Sequence, residues 1–413
     1  HGPGSLHVAQ RAKGEGVDVK TEIDPTIVNP RKLSWERQID LCQRCHLQGL
    51  NVLKDGKKFT DFKPGMKLSD IFEIYLPEYE GENASFDMAN HSQRFQMSEC
   101  FIQGNKEKLD FTCISCHNPH VSVKMTGTEV YNTACKNCHQ VNKCKEDIQV
   151  LTKAENNCVS CHMPPSGSED IPHVSVHDHY IRVPKPAGEV AKRQKLVGLY
   201  AVNNAIPDEE TEIRAYLEYW EKFDKNLFYL RKAKEKLTGK DYPRLWLKYY
   251  YLTEEYAKAT QQKLDIDILS SWELFILGES YGKRKAWSQA TFYLQKAWDM
   301  DPTVASIGKQ LLKDRIEQGD LERGATLATE LAALFPRNGN ILNLQAKIFV
   351  MQGKYLEAKA LMRKCLELEP DNIDVWGTYL NYYASVRDKP QFMYWAKKIR
   401  QKSPEYVSLA VIE

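Results

Sequence analysis

The sequence predicts a mostly α fold, in which a loop-rich N-terminal domain precedes an all-α domain of superhelical repeats. Two observations predict this division. Ten of the eleven cysteines and all eleven histidines lie before Tyr180. A period of about 34 residues, typical of helical repeats, runs through the segment 271–406. The 413 residues are enough for two or three domains. We expect one domain over 1–185, a linker with degenerate helical repeats over 186–270, and regular repeats over 271–413.

The N-terminal domain is organised around four copies of Cys-x-x-Cys-His, the attachment pattern of c-type haem. Two thiols one helical turn apart add to the vinyl groups of one haem, and the next histidine becomes the proximal iron ligand. The copies are Cys42, Cys45 and His46; Cys113, Cys116 and His117; Cys135, Cys138 and His139; and Cys158, Cys161 and His162. We therefore predict at least four haem c groups. Two zinc sites built from paired Cys-x-x-Cys units are the alternative, which leaves the four histidines unexplained.

The other histidines are candidate axial ligands of the haem irons. Their number exceeds the four sixth positions, so bis-histidine coordination throughout is possible. The candidates are His1, His7, His91, His120, His173 and His179. His120 follows His117 too closely to bind the opposite face of the same iron, so we expect it to reach a neighbouring haem. For His177 we expect a polar role beside Asp178.

Residues 1–4 read His-Gly-Pro-Gly, which resembles the Cys-x-x-Cys-His-Gly-Pro-Gly segments of multihaem cytochromes. We expect His1 to be the proximal ligand of a further haem whose cysteines lie outside this chain. The chain would then be the C-terminal part of a longer cytochrome. An ordinary processed terminus is the alternative.

The N-terminal domain has few aliphatic runs, so we expect the haems themselves to form its core. Within it, the pattern predicts short helices over 35–45 and 68–75. Cys100 and Cys144 lie outside the four motifs. They form either a disulfide or two buried free thiols.

The composition also bears on location and partners. Bacteria attach haem covalently outside the cytoplasm, so we expect an exported bacterial protein, periplasmic or extracellular. No run of eighteen apolar residues occurs, which predicts no transmembrane segment. A net charge of +2 argues against nucleic acid as the main partner.

The motif set resembles the multihaem c-type cytochromes related to the tetrahaem cytochrome of ammonia oxidisers and to the hydroxylamine-oxidoreductase group. The resemblance covers roughly residues 1–183. It rests on the start of the chain, the His91 segment, Cys-His-Asn-Pro-His at 116–120, Cys-His-Met at 161–163, Ile-Pro-His at 171–173 and Asp-His-Tyr-Ile-Arg at 178–182. It implies electron transfer between stacked haems, and some relatives carry one five-coordinate catalytic haem. The chain lacks the cysteines before His1, which leaves the total haem number open.

The C-terminal domain has the period of the tetratricopeptide repeat (TPR). Prolines recur at this constant interval, and a small residue lies twelve positions before each, the last less faithfully. The prolines are Pro302, Pro336, Pro370 and Pro404, and the residues before them are Ala290, Gly324, Ala358 and Phe392. Such arrays stack into a superhelix whose concave face commonly binds a partner. Rigid packing on the chain's own haem domain is the alternative.

Three functions are compatible with these features. We favour electron transfer through closely packed, mainly bis-histidine haems, with the repeats docking a redox partner or further copies in an oligomer or filament. An oxidoreductase with one five-coordinate haem, acting on a small nitrogen or sulfur compound, is the second. A structural subunit of an extracellular cytochrome polymer or large redox complex is the third. An electron carrier is favoured over an enzyme, so no catalytic residue is assigned.

Overall fold

The computed structural model describes residues 1–18, 21–46, 48–80, 90–139, 144–167, 175–183 and 195–405. The chain forms two compact units, His1–Lys236 and Leu237–Glu413. The first unit therefore extends well beyond the domain boundary expected at residue 185, because its central sheet recruits a strand from the segment that follows.

The first unit combines short helices with two small antiparallel sheets. One sheet has the strand order β1-β2-β5, and the other pairs β3 with β4. The strands are β1 Leu50–Leu53, β2 Phe72–Tyr79, β3 Pro165–Gly167, β4 Ser175–His177 and β5 Leu196–Ala201. The helices are α1 Ser5–Ala12, α2 Trp35–His46, α3 His91–Gln96, α4 Glu99–Lys106, α5 Thr128–Lys136, α6 Ile148–Lys153, α7 Cys158–His162, α8 Glu209–Lys222 and α9 Leu227–Leu237.

The helix predicted over 68–75 is wrong, whereas the one over 35–45 corresponds to α2. Leu68–Asp70 forms a single 3-10 turn, and β2 begins at Phe72. As the central strand, β2 has neighbours on both edges, and its residues from Phe72 to Leu76 are all buried. A strand buried on both faces shows no alternation of apolar and polar residues, and here even Glu73 is buried, so periodicity cannot distinguish it from a short buried helix.

Hydrogen bonds attach residues 196–222 to the first unit. Tyr75 of β2 pairs with Ala201 of β5. The Asn203 side-chain amide donates to the Phe72 carbonyl over 3.0 Å, and the Arg214 guanidinium donates to the Leu53 carbonyl over 3.0 Å. These contacts explain why the segment after residue 185 folds with the N-terminal residues.

The second unit is built of helices throughout its described residues. A first pair, α10 Pro243–Leu252 and α11 Tyr256–Ala259, precedes four regular pairs. These are α12 Ser271–Lys283 with α13 Trp287–Met300, α14 Ala305–Gln318 with α15 Leu321–Leu334, α16 Gly339–Met351 with α17 Tyr355–Leu368, and α18 Ile373–Ser385 with α19 Lys389–Lys402. The first helices of the regular pairs begin at 271, 305, 339 and 373, which are equal steps along the chain. The predicted period is confirmed.

Small residues let the two helices of a pair approach closely. Ala290 and Ala358 are fully buried. A Cβ added to Gly278 on α12 would lie 2.7 Å from Leu294 Cγ on α13, so only glycine permits this packing. Cys365 is buried in the same kind of core, as expected for a packing residue.

Candidate haem sites and the repeat groove

The four Cys-x-x-Cys-His motifs all lie on helices or single helical turns of the first unit. The first motif ends α2, the third spans the end of α5, and the fourth forms α7. In the second, the His117 amide donates to the Cys113 carbonyl over 2.9 Å, and the His139 amide donates likewise to Cys135 over 2.8 Å. Such a turn brings both thiols and the histidine of a motif to one side of the backbone.

The motifs lie next to each other in pairs. The Cys113 thiol donates to the Cys42 sulfur, a hydrogen bond that raises the pKa of Cys113 and lowers the pKa of Cys42. Cys135 and Cys158 are also hydrogen-bonded through their side chains, although burial is the main cause of the raised pKa of Cys135. The first motif therefore adjoins the second, and the third adjoins the fourth.

Four histidine rings are held in the tautomer that a metal ligand requires. Each donates from Nδ1 to a backbone carbonyl: His1 to Val28 over 2.9 Å, His162 to Arg182 over 2.9 Å, His177 to Met163 over 2.7 Å and His179 to His177 over 2.9 Å. A carbonyl only accepts, so Nδ1 carries the proton and the lone pair lies on Nε2. This arrangement is typical of histidines that bind metal through Nε2.

His7 has a similar anchor on side chains. Its Nδ1 lies 3.1 Å from an Asp24 carboxylate oxygen and 3.2 Å from the Thr26 hydroxyl. Asp24 also accepts from the Thr26 amide over 2.9 Å, which orients the carboxylate. A carboxylate behind the ring holds it in place and increases the basicity of the other nitrogen.

Two pairs of rings have the separation of axial ligands on one iron. The ring centroids of His1 and His120 are 5.8 Å apart with an interplanar angle of 14°, and those of His117 and His179 are 6.1 Å apart at 26°. Metal–nitrogen bonds of about 2.0 Å on each side place the centroids of two opposed imidazoles about 6 Å apart. These separations are compatible with His1 and His120 holding one haem iron and His117 and His179 another.

His91 lies too close to His179 to share an iron with it, because their centroids are only 4.4 Å apart. Burial, and after it the charge of nearby His46, lower the pKa of His91. Its Nδ1 is buried and has no hydrogen-bond partner in the described part of the chain. Burial lowers the pKa of His179 to about 4, so both rings are neutral at physiological pH.

A buried ion pair that the sequence did not reveal holds the segment around His179. Arg94 and Asp178 are only 3% and 4% exposed, and Arg94 Nε donates to Asp178 over 2.9 Å. Burial is the largest single influence and opposes ionisation, but hydrogen bonds from Arg94 and the Tyr180 amide and the charges of both arginines nearby together outweigh it and lower the pKa of Asp178. The Ser98 hydroxyl donates to the His179 carbonyl over 3.1 Å.

His177 has the polar role expected of it, but not with Asp178, which pairs with Arg94 instead. His177 bonds the Met163 carbonyl, which gives one more ring with Nε2 free to accept. Because 84 residues separate Arg94 from Asp178, no local pattern could have indicated their pairing.

The region around the last three motifs, residues 113–167, has almost no buried side chains among those described. Among the described residues of 113–167, only Asn132 is buried, and no apolar side chain is. Six large apolar side chains there are exposed: Val121, Val123, Met125, Val130, Ile148 and Val150. Exposed apolar side chains that lie together mark a surface that binds another group.

The remaining predicted residues are placed as follows. Of the motif thiols, Cys45 and Cys138 are exposed and the other six are half-buried. Cys100 and Cys144 are free thiols, and Cys144 is exposed. His173 lies outside the described residues. Within the described ranges, no three His, Cys, Asp or Glu side chains converge to hold a metal ion on their own. No helix among those residues is both long and apolar enough to cross a membrane.

The second unit contains a groove along the first helices of its four regular pairs. Its cavity volume is about 450 Å³. Glu279, Lys313, Lys347 and Asn381 line it at the same position of successive repeats. The lining is mainly polar, unlike the apolar contacts between the helices.

The fold of the second unit defines it as a TPR-type helical repeat. No protein-family model matches the chain, and no curated protein matches it. Among solved structures, MamA MSR-1 has a TM-score of 0.34 and 18% identity, covering 40% of this chain and 99% of its own. PilF of Pseudomonas aeruginosa has a TM-score of 0.37 and 14% identity, and the match covers 49% of this chain and 95% of PilF. The TPR domain of Arabidopsis OM64 has a TM-score of 0.27 and 18% identity, and the match covers 28% of this chain and 95% of that domain. The classification rests on the helix pairs of this chain and not on these likenesses.

Proposed function

We propose that the first unit carries haem c at its four Cys-x-x-Cys-His motifs and transfers electrons, while the repeats dock a partner protein. The observation that supports this most directly is the region 113–167. It combines three attachment motifs with exposed apolar side chains and no buried apolar residue among those described. Covalent haem would cover this surface.

Ring separations suggest which histidines share an iron. His117 and His179 would bind one iron, and His1 and His120 another. His46 and His91 would form a third pair, since the charge of His46 reaches His91. For the irons under His139 and His162, the distal ligands would come from His7 and His173.

The protein residues position these ligands and keep other molecules from the iron. Bound haem supplies an iron that alternates between the ferric and ferrous states. The carbonyls of Val28 and Arg182 and the carboxylate of Asp24 hold their histidine rings with Nε2 free. With two histidines holding each iron, no position would be open for a substrate, so the arrangement favours electron transfer over catalysis.

The repeats would bring the donor or acceptor, or another copy of the chain, close to the haems. A concave polar groove suits a protein segment better than a small apolar molecule. We propose a periplasmic or extracellular location, because haem attachment requires an exported chain.

The experiment is production of the chain in bacteria that carry out cytochrome c maturation, followed by spectroscopic quantification of covalent haem. We expect at least four haems per chain, and one fewer in Cys158→Ala/Cys161→Ala. The matched control, Cys365→Ala, retains the full number because Cys365 lies in the repeat core. A chain without covalent haem would overturn the proposal.

Electron paramagnetic resonance of the oxidised protein then separates the carrier from the enzyme. Low-spin signals that account for all the haem support electron transfer. A stoichiometric high-spin signal that shifts with nitrite or hydroxylamine would favour the oxidoreductase instead.

A further inference from the structure

The repeat groove contains a buried carboxylate of which only one oxygen accepts a hydrogen bond. Asp314 on α14 is 2% exposed. Its Oδ1 accepts from the Gln310 amide over 2.7 Å, whereas its Oδ2 has no hydrogen-bond partner among the described residues. Oδ2 lies against Gly282 of α12, where an added Cβ would be 2.7 Å away. The glycine therefore provides the space that the carboxylate occupies.

A second acceptor lies in the same groove, on the next first helix. Asn343 of α16 is 6% exposed, and its Oδ1 likewise has no partner within the described ranges. Asp314 and Asn343 both line the cavity. A buried acceptor without a donor is costly, and a buried unpaired charge more so. Burial raises the pKa of Asp314 to about 6, so the carboxylate still carries its charge at pH 7.5.

We propose that this groove binds an arginine side chain from an extended segment of the docked partner, with its guanidinium donating to Asp314 and Asn343. The inference rests on the proposed docking function and adds the chemistry of the partner. A guanidinium has five N–H donors in a planar fork, so one group can donate to more than one acceptor at once. The cavity of about 450 Å³ has room for this side chain and its flanking backbone.

The lysines of the groove do not require an anionic partner in the same way. Lys283 and Lys313 are exposed, and Lys347 is half-buried. An exposed ammonium is already solvated, so pairing it contributes little. The buried oxygens of Asp314 and Asn343 are shielded from water, so a ligand that donates hydrogen bonds to them removes a larger free-energy cost than one that pairs with the lysines.

The test uses the full haem-loaded chain and three blocked peptides, observed by ligand-detected nuclear magnetic resonance titration. The peptides are acetyl-Gly-Gly-Xaa-Gly-Gly-amide, with arginine, citrulline or glutamate at Xaa. Citrulline has nearly the shape of arginine without its charge. We expect the arginine peptide to bind at least tenfold more tightly than the citrulline peptide.

Two protein variants locate the binding. Asp314→Asn should remove the preference for arginine over citrulline. Glu317→Gln is the matched control, because Glu317 lies in the same groove but is exposed, and it should keep most of the preference. Thermal unfolding of each variant checks that the repeats are intact.

Several results would overturn the proposal. These are equal binding of arginine and citrulline, no binding of any peptide, tightest binding of the glutamate peptide, or an unchanged preference in Asp314→Asn. The glutamate result would assign the groove to an acidic segment held by the lysines. A redox partner that binds Asp314→Asn normally would overturn the arginine site and leave docking in place. A chain that acquires no covalent haem during cytochrome c maturation but still prefers arginine would overturn electron transfer and leave the arginine site in place.

Discussion

The motif region 113–167 and the repeat region 271–402 obtain their stability in different ways. In the repeat region the helix pairs bury two large apolar clusters, with Leu312 and Ile348 in the first and Met362 and Trp376 in the second. In the described part of the motif region, no apolar side chain is buried. The repeat region can fold from its own side chains, whereas the proposed haem groups would supply the core of the motif region.

The largest effect that would test this contrast is the loss of haem. We expect the haem-free chain to lose nearly all amide hydrogen-exchange protection over 113–167 and to keep it over 271–402. Local opening costs little free energy where few apolar contacts are buried. Hydrogen exchange followed by mass spectrometry on the haem-free and haem-loaded chains measures this. Equal protection of the motif region in both forms would contradict the idea that haem forms its core.

The next effect concerns the ion pair that holds the segment carrying His179. Arg94→Met leaves Asp178 buried without its main partner, which should destabilise the first unit by about 3–5 kcal/mol. Because Asp178 lies directly before His179, the low-spin haem signal should also lose intensity. Denaturant unfolding and paramagnetic resonance measure the two effects.

Arg182→Met is the matched control for this prediction. Arg182 lies 3.8 Å from Asp178 and is more exposed, so the loss should stay below about 1 kcal/mol. Similar losses in the two variants would mean that the buried pair has no special role.

The smallest effect concerns Asp314, a buried carboxylate in the repeat region, and its influence on the stability of the repeats. Burial raises the pKa of Asp314 from 3.8 to about 6. The folded state therefore binds a proton more tightly than the unfolded state, and stability falls as pH rises from about 4 to about 6. Asp314→Asn removes this loss, so it should stabilise the repeats by up to about 3 kcal/mol at pH 7.5.

Unfolding curves of wild type and Asp314→Asn at pH 4 and pH 7.5 test the sign. The two proteins should differ at pH 7.5 and nearly coincide at pH 4. A destabilised Asp314→Asn at pH 7.5 would show that the carboxylate contributes to folding. A stabilised variant that no longer recognises the arginine peptide would instead show that the charge is kept for binding.

Much of this architecture can be predicted from the sequence because the patterns that indicate it are local or periodic. A Cys-x-x-Cys-His motif is five consecutive residues, and its helical turn follows from short-range hydrogen bonds such as His117 to Cys113. The repeats recur at a constant interval, so Pro302 and Ala290 mark helix positions without knowledge of any distant contact. The mostly α fold class is therefore confirmed.

Long-range pairing decided what the sequence could not. Strand β2 exists because it pairs with β1 and β5, and β5 lies far along the chain from both. That pairing also moves the end of the first unit to Lys236. Arg94 meets Asp178 across 84 residues, and Asp314 meets Gly282 on another helix. A local sequence pattern reflects the conformational preference of each residue. The partner of a buried charge or of a strand edge is determined only when distant parts of the chain come together in the fold.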